Sequence, residues 1–263
     1  MTFTDHTIAL STGPLTYRKG GEGRPILHQH SAAGPRQSPA IETLAARHTI
    51  FMPTVPGFNG TPAHPTVTSM QMLADLMAEF IRQAIGSPCD VMAESFGGWI
   101  ALWLAVRHPE LVEQLVLEAP AGLRTEGVGG IPIDPDARFR KLYAVPERAP
   151  AETRSSQVLW KNLSVMQSYH AGVTPDRALL EALPQIKART LIVFGTQDEV
   201  IPIEVARRLK AGIPQSHLSY IYRAAHAVEF DQPERVARLV GAFLERGEGF
   251  LVRQPEPAQG GVR

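Results

Sequence analysis

The sequence is short of features that would direct it toward several functions. It has one cysteine, Cys89, in 263 residues. No disulfide can therefore form within the chain, which is compatible with a reducing compartment. It has no charge bias: 26 Lys and Arg stand against 26 Asp and Glu. No global field favours nucleic acid or an anionic membrane surface. No apolar run approaches the roughly 18 residues that a membrane-spanning helix needs. The longest candidate, residues 99–106, ends in Arg107-His108-Pro109. The stretch from Met1 to His6 lacks the basic region and apolar core of a signal peptide. These absences predict a cytoplasmic protein with no nucleic-acid and no membrane partner.

Cofactor signatures are missing too. There are no internal repeats and no Cys/His cluster at metal-ligand spacing. His28 and His30 alternate on a strand pattern, point to opposite faces and make a poor ligand pair. No Gly-rich dinucleotide signature follows a strand, and no basic cluster is positioned for phosphate. Neither a metal nor a cofactor is expected.

What is present is an alternating rhythm. With 44% apolar and 20% charged residues, the composition fits one soluble α/β domain. Residues 7–11 and 15–18 read as a hairpin joined at Gly13-Pro14. Strands follow at 25–30, 49–52, 90–93, 114–118, 190–194 and 218–222. Helices are expected from Ser38-Pro39 to 47, along the apolar stripe Met72, Leu73, Leu76, Met77, Phe80 and Ile81, and at 96–106, 203–211 and 233–246. The spacing predicts a mostly parallel central sheet of about eight strands with helices on both faces. The rhythm breaks over residues 122–187, where helices at 137–143 and 151–169 read as an insertion. The resulting division is a core of 1–121 and 188–250, a helical cap of 122–187, and a patternless, disordered tail of 251–263.

The chain is organised around Asp90-Val91-Met92-Ala93-Glu94-Ser95-Phe96-Gly97-Gly98-Trp99. A strand runs into a serine and a helix follows at once, with small residues two before and two after. Such a turn strains the serine backbone and exposes its hydroxyl beside the helix N-terminus. Ser95 is therefore the candidate nucleophile. A hydroxyl needs a base, and His226, after the last strand, is the candidate. The base needs an orienting acid, and Asp198 follows the strand at 190–194. Asp198 alternatively caps the helix after it. Glu199 is a weaker candidate, and Glu118, at a strand end, is a backup acid.

The order Ser95, Asp198, His226, with Gly195…Asp198…Pro202, His226…Pro233 and Pro53…Pro56-Gly57-Phe58, resembles the α/β-hydrolase superfamily from about residue 7 to 246. Ala93 departs from the superfamily's usual first glycine. The resemblance implies an α/β-hydrolase fold with a helical cap, and an oxyanion hole made by the backbone N–H groups of Phe96 and, from the loop after the third strand, Ala32. A register slip would make His30 the second donor instead. Serine at position 95 excludes the branches that attack with aspartate.

Within the cap, Tyr143, Trp160, Met166, Tyr169 and His170 are the bulky residues. His30, Trp160, Met166 and Tyr169 are candidate substrate contacts. A mainly apolar pocket would suit a small hydrophobic ester or ketone. Three readings stay open: a cofactor-free serine esterase, a hydrolase of a carbon–carbon bond in a diketone or dienoate, and a hydrolase-like receptor. A monomer or a homodimer is expected.

Overall fold

The computed structural model describes residues 2–251 apart from 126, 133, 153, 172 and 173. The chain opens with β1 (Thr4–Leu10), β2 (Gly13–Gly20), β3 (Arg24–Gln29), α1 (Pro39–Leu44) and β4 (His48–Pro53). It continues through α2 (Met70–Phe80), β5 (Cys89–Glu94), α3 (Phe96–Arg107) and β6 (Val112–Glu118). Among the described residues, three helices follow without a strand: α4 (Pro135–Leu142), α5 (Ser156–His170) and α6 (Arg177–Ala182). The last elements are β7 (Arg189–Gly195), α7 (Ile203–Gly212), β8 (Ser216–Ile221), α8 (Val228–Asp231) and α9 (Pro233–Arg246).

The eight strands form one sheet in the order β1-β2-β4-β3-β5-β6-β7-β8. The β1–β2 and β2–β4 pairs are antiparallel and every later pair is parallel. The sheet is thus the expected eight-stranded, mostly parallel one. Parallel strands buried on both faces need apolar side chains at nearly every position. Val91, Leu115, Leu117, Ile192 and Phe194 enter one core cluster with α2, α3 and α7. Their neighbours Ile26, Met92, Val116, Leu191 and Val193 enter a second cluster with α1 and α9. Each large aliphatic or aromatic side chain so enclosed contributes about 1.5–3 kcal/mol.

Local chemistry sets the helix starts. Ser38 accepts the Ile41 N–H and Ser69 the Met72 N–H, and Pro39 occupies the first turn of α1. Both satisfy donors that a helix N-terminus leaves free. Two short helices were not among the expected elements. Asp176 caps α6 by accepting the Leu179 N–H, and α8 occupies four residues just after His226. Although α6 lies inside 122–187, its Leu179, together with Leu183 and Ile186, belongs to the main core. The expected tail lies, beyond Leu251, outside the described residues. Among the described residues no helix is long and apolar enough to cross a membrane.

Candidate active site

The turn between β5 and α3 is as tight as the sequence demands. Ser95 has φ 52° and ψ −111°, a strained conformation for a residue with a Cβ. It is held by its own backbone: its N–H donates to the Glu118 carbonyl at 2.9 Å, and its carbonyl accepts from Ala121 at 2.8 Å. The end of β6 therefore pins the serine. Gly97 is required by proximity, since a Cβ there would lie 2.4 Å from the Gln29 carbonyl oxygen and 2.7 Å from that of His30. A Cβ on Gly98 would strike Pro120 at 2.5 Å. Ala93, where a glycine is customary, is accommodated with its side chain fully buried.

Asp198 and His226 come from the loops after β7 and β8. His226 Nδ1 lies 2.9 Å from Asp198 Oδ2, and both side chains are 2% exposed. The other carboxylate oxygen, Oδ1, accepts the Val200 and Ile201 N–H groups at 2.8 and 2.9 Å. The same aspartate thus shapes its loop and meets the imidazole; it does not cap α7, which starts after Pro202 with no side-chain hydrogen bond at its N-terminus. With Nδ1 donating to the carboxylate, Nε2 is the unprotonated nitrogen. It is buried and makes no hydrogen bond among the described residues. Burial opposes the imidazolium, but the charge and hydrogen bond of Asp198, with Glu94 behind them, outweigh it and raise the pKa of His226. Glu199 is exposed. Glu118 lies away from this pair, among other carboxyl groups.

The loop after β3 folds as a turn in which Gly34 N–H donates to the Ser31 carbonyl at 2.9 Å. His30 does not face substrate space. Its Nδ1 donates to the Ser31 carbonyl at 2.7 Å and its Nε2 accepts the Val55 N–H at 3.0 Å. Burial first of all lowers its pKa to about 4, so it is a neutral strut for the loop. The expectation of a substrate contact fails because both ring nitrogens are committed to backbone. Ala32 follows it and lines both cavities described below. The segment between β6 and β7 holds the same loop: Arg154 and Asn162 donate to the Ala33 carbonyl.

Two cavities meet at Ser95 and share Ala32, Ile131 and Leu163. One, of about 370 Å³, extends past Phe96, Trp99, Trp160, Met166 and His170. Trp160 and Met166, both expected substrate contacts, line this cavity. Tyr169 does not: it is 6% exposed, and its hydroxyl donates to the Pro56 carbonyl at 2.9 Å. That contact fastens α5 to the body.

The other cavity, of about 420 Å³, contains His226 and runs under α4 past Leu142, Tyr143 and Leu159. Its wall is mainly apolar, with charged side chains among the apolar ones. Arg36, Arg138 and Arg154 all line it, against Glu152 as the acid among its lining residues. Glu152 pairs with Arg36 and Arg154, and these arginines overcome its partial burial and hold its pKa down at about 2. Arg138 Nη1 is buried and has no hydrogen-bond partner, while its guanidinium lies 5.4 Å from the Trp160 ring centre. These arginines escaped sequence reasoning because they come from three distant segments. The usable signal was Asp134-Pro135 as a helix start, which puts Arg138 and Leu142 on one face of α4.

Over residues 32–239 the chain matches the alpha/beta hydrolase family. It belongs to that family. Among curated relatives, a 2-hydroxymuconate semialdehyde hydrolase of Pseudomonas putida is 27% identical, over 88% of this chain and 90% of its own. A second protein of that name, from Pseudomonas sp. (strain CF600), is 29% identical over 62% of this chain and 64% of its own. Among solved structures, a serine hydrolase of the polyaromatic hydrocarbon-degrading bacterium Cycloclasticus zankles superposes with a TM-score of 0.78 at 16% identity, covering 93% of this chain and 98% of that one. As an alpha/beta hydrolase with hydrolase relatives, the chain is an enzyme that hydrolyses small molecules.

Proposed function

We propose that this alpha/beta hydrolase is a cofactor-independent serine hydrolase acting on a small, mainly hydrophobic ester. The observation that carries this reading is that Ser95 and His226 line one cavity while His226 donates to Asp198 at 2.9 Å. Ser95 Oγ attacks the substrate carbonyl and its proton passes to His226 Nε2. Backbone N–H groups of Phe96 and Ala32 receive the negative charge that develops on the carbonyl oxygen. Each such donor is worth roughly 3–4 kcal/mol in comparable hydrolases. Collapse breaks the carbonyl–leaving-group bond, and the proton on His226 goes to the leaving group. Water, deprotonated by the same imidazole, then releases the acid and restores Ser95.

The proton donor His226 lines the larger cavity, so the leaving group occupies that side. The acyl group extends into the smaller cavity, between Trp99, Trp160 and Met166. The segment from 122 to about 175 acts as the cap that closes over both.

A second reading is hydrolysis of a carbon–carbon bond in a dienoate. Two observations favour it: the curated relatives are named as 2-hydroxymuconate semialdehyde hydrolases, and three arginines against one glutamate line the leaving-group side. A carboxylate carried by the departing fragment would meet the unpartnered Arg138 Nη1.

The test has two stages. A fluorophosphonate probe followed by peptide mapping should modify Ser95, and Ser95→Ala should stay folded and lose turnover. Turnover retained in that variant would overturn the serine mechanism. Comparing an aryl ester with a 2-hydroxy-6-oxo-dienoate then separates the readings, and a clear preference for the dienoate replaces the first with the second.

A further inference from the structure

Beneath the elbow, on the face of the sheet covered by α1, α8 and α9, lies a group of ionisable side chains that the proposed reaction does not use. Glu94 and Glu118 are partners in the β5–β6 register. His28 of β3 pairs with Met92, two residues before Glu94, and so points to the same face. Glu229 descends from α8 and accepts from His28 Nε2 at 3.0 Å. His28, Glu118 and Glu229 are at most 3% exposed.

Glu118 is the informative member. Both its oxygens are buried and no protein N–H or hydroxyl donates to either. Its polar contact is the Glu229 carboxyl, within hydrogen-bonding reach. Two carboxyl groups can bond only if one carries a proton. Glu229 already has a partner in His28, whose Nε2 donates to it at 3.0 Å, so the proton belongs on Glu118. Among the described residues, these side chains do not form a metal-holding group either.

The cluster bears on His226 through the backbone. Val228, the first residue of α8, donates to the His226 carbonyl at 3.1 Å. On the other side of that loop, the Asp231 carboxylate accepts the Ala225, Ala144 and Val145 N–H groups at 2.7–2.9 Å. Of the two buried acids on α8, Glu229 is therefore the one tied to the sheet; Asp231 is tied to the segment after α4.

We propose that Glu118 and Glu229 share one proton, that Glu229 anchors α8 to β3 through His28, and that this clamp positions His226. Glu118, Glu229 and His28 are positioning residues, and the inference rests on His226 being the general base. Burial drives the Glu118 carboxyl well above its ordinary range, with the charges of Glu229 and Glu94 adding to it. Burial likewise opposes ionisation of Glu229 and His28, but their mutual attraction wins, leaving Glu229 lowered and His28 raised. Glu94, which also faces Arg36, raises His226 in turn.

The experiment compares Glu118→Ala, Glu118→Gln and Glu229→Gln in the full chain. It reads ester kcat and KM against pH, the rate of Ser95 modification by a fluorophosphonate, and histidine NMR titrations. A neutral amide can donate to Glu229 as the protonated acid does. Glu118→Gln should therefore restore most of what Glu118→Ala loses, whereas Glu229→Gln should lower kcat about tenfold to a hundredfold with KM little changed. In Glu229→Gln the His28 titration should move to lower pH. The proposal is overturned if Glu118→Gln is as impaired as Glu118→Ala, or if folded Glu229→Gln keeps wild-type kcat and His28 titration. If Glu118→Ala does not fold, the order of Glu118→Gln and Glu229→Gln decides. Failure to label Ser95 in the wild type would count against the hydrolase mechanism, while the His28 titration would still test the clamp.

Discussion

Asp198 divides its carboxylate between two tasks, with Oδ1 holding its own loop and Oδ2 lying 2.9 Å from His226 Nδ1. In Asp198→Asn the amide oxygen keeps the Val200 and Ile201 N–H groups, which turns the NH2 toward His226. Nδ1 must then accept, the proton moves to Nε2, and the imidazole can no longer take the Ser95 proton. The expected loss in kcat is on the order of 10⁴-fold with the fold intact. The charge that raises His226 is also gone while burial remains. The acid limb of the residual rate should therefore lie at lower pH than in the wild type. Steady-state kinetics from about pH 5 to about pH 9 measure both effects, and an unmoved acid limb would count against the assignment of His226.

Gly97 joins the turn at Ser95 to the loop after β3 through one close contact. In a helix interior, Gly→Ala normally stabilises by about 1 kcal/mol. Here the added methyl would press the Gln29 and His30 carbonyls at 2.4 and 2.7 Å, and both are backbone atoms that move only with β3. Gly97→Ala should destabilise by about 1–3 kcal/mol in urea denaturation. It should also reduce kcat, because the displaced segment leads into Ala32. A variant as stable as wild type would show that α3 and β3 are less closely packed than this geometry implies.

The legible part of this chain was the part whose function is written locally. A strand ending in Ser95 with Gly97 two beyond, and acids and a histidine after later strands, can be read without coordinates, as can the alternating buried strands. What was not legible depends on partners distant in sequence. His30 looks like a substrate contact until Val55 and Ser31 are seen to hold its two nitrogens. Tyr169 looks like a pocket aromatic until Pro56 takes its hydroxyl. The guanidinium groups of Arg36, Arg138 and Arg154 converge only once the segment after β6 packs against the loop that follows β3. In α8, four residues between His226 and Pro233 are too few to show a helical period.

Asp176 illustrates how α6 belongs to the body although it lies within the stretch read as the cap. Its Oδ2 accepts the indole N–H groups of Trp99 and Trp103, each at 2.9 Å, and its Oδ1 caps α6 through Leu179. Both indoles are buried on α3, so truncation strands two donors at once. Asp176→Ala should cost about 2–4 kcal/mol by chemical denaturation. Because Trp99 also lines the smaller cavity beside Ser95, KM for bulky esters should rise as well. A loss below about 1 kcal/mol would mean that water replaces the carboxylate without penalty.

Asp90, at the opposite end of β5 from Ser95, should make stability depend on pH in the less usual direction. Its side chain is fully enclosed, and Oδ2 has no hydrogen-bond partner. Burial raises its pKa to about 6 although Arg24 and Gln114 pull against it. An unfolded aspartate titrates near 3.8. Between these values the folded chain holds a proton that the unfolded chain has released, so stability falls as pH rises from about 4 to about 6 and stays reduced above. The reduction is on the order of 2–3 kcal/mol, since a tenfold change in proton affinity between the two states corresponds to about 1.4 kcal/mol. Asp90→Asn removes the titration and keeps an amide that can meet Gln114. Its unfolding free energy should exceed that of the wild type at about pH 8 and converge with it near pH 4. Urea denaturation at the two pH values measures this directly, and a variant less stable than wild type in the alkaline measurement would show that the Arg24–Asp90 ion pair outweighs the cost of burying the charge.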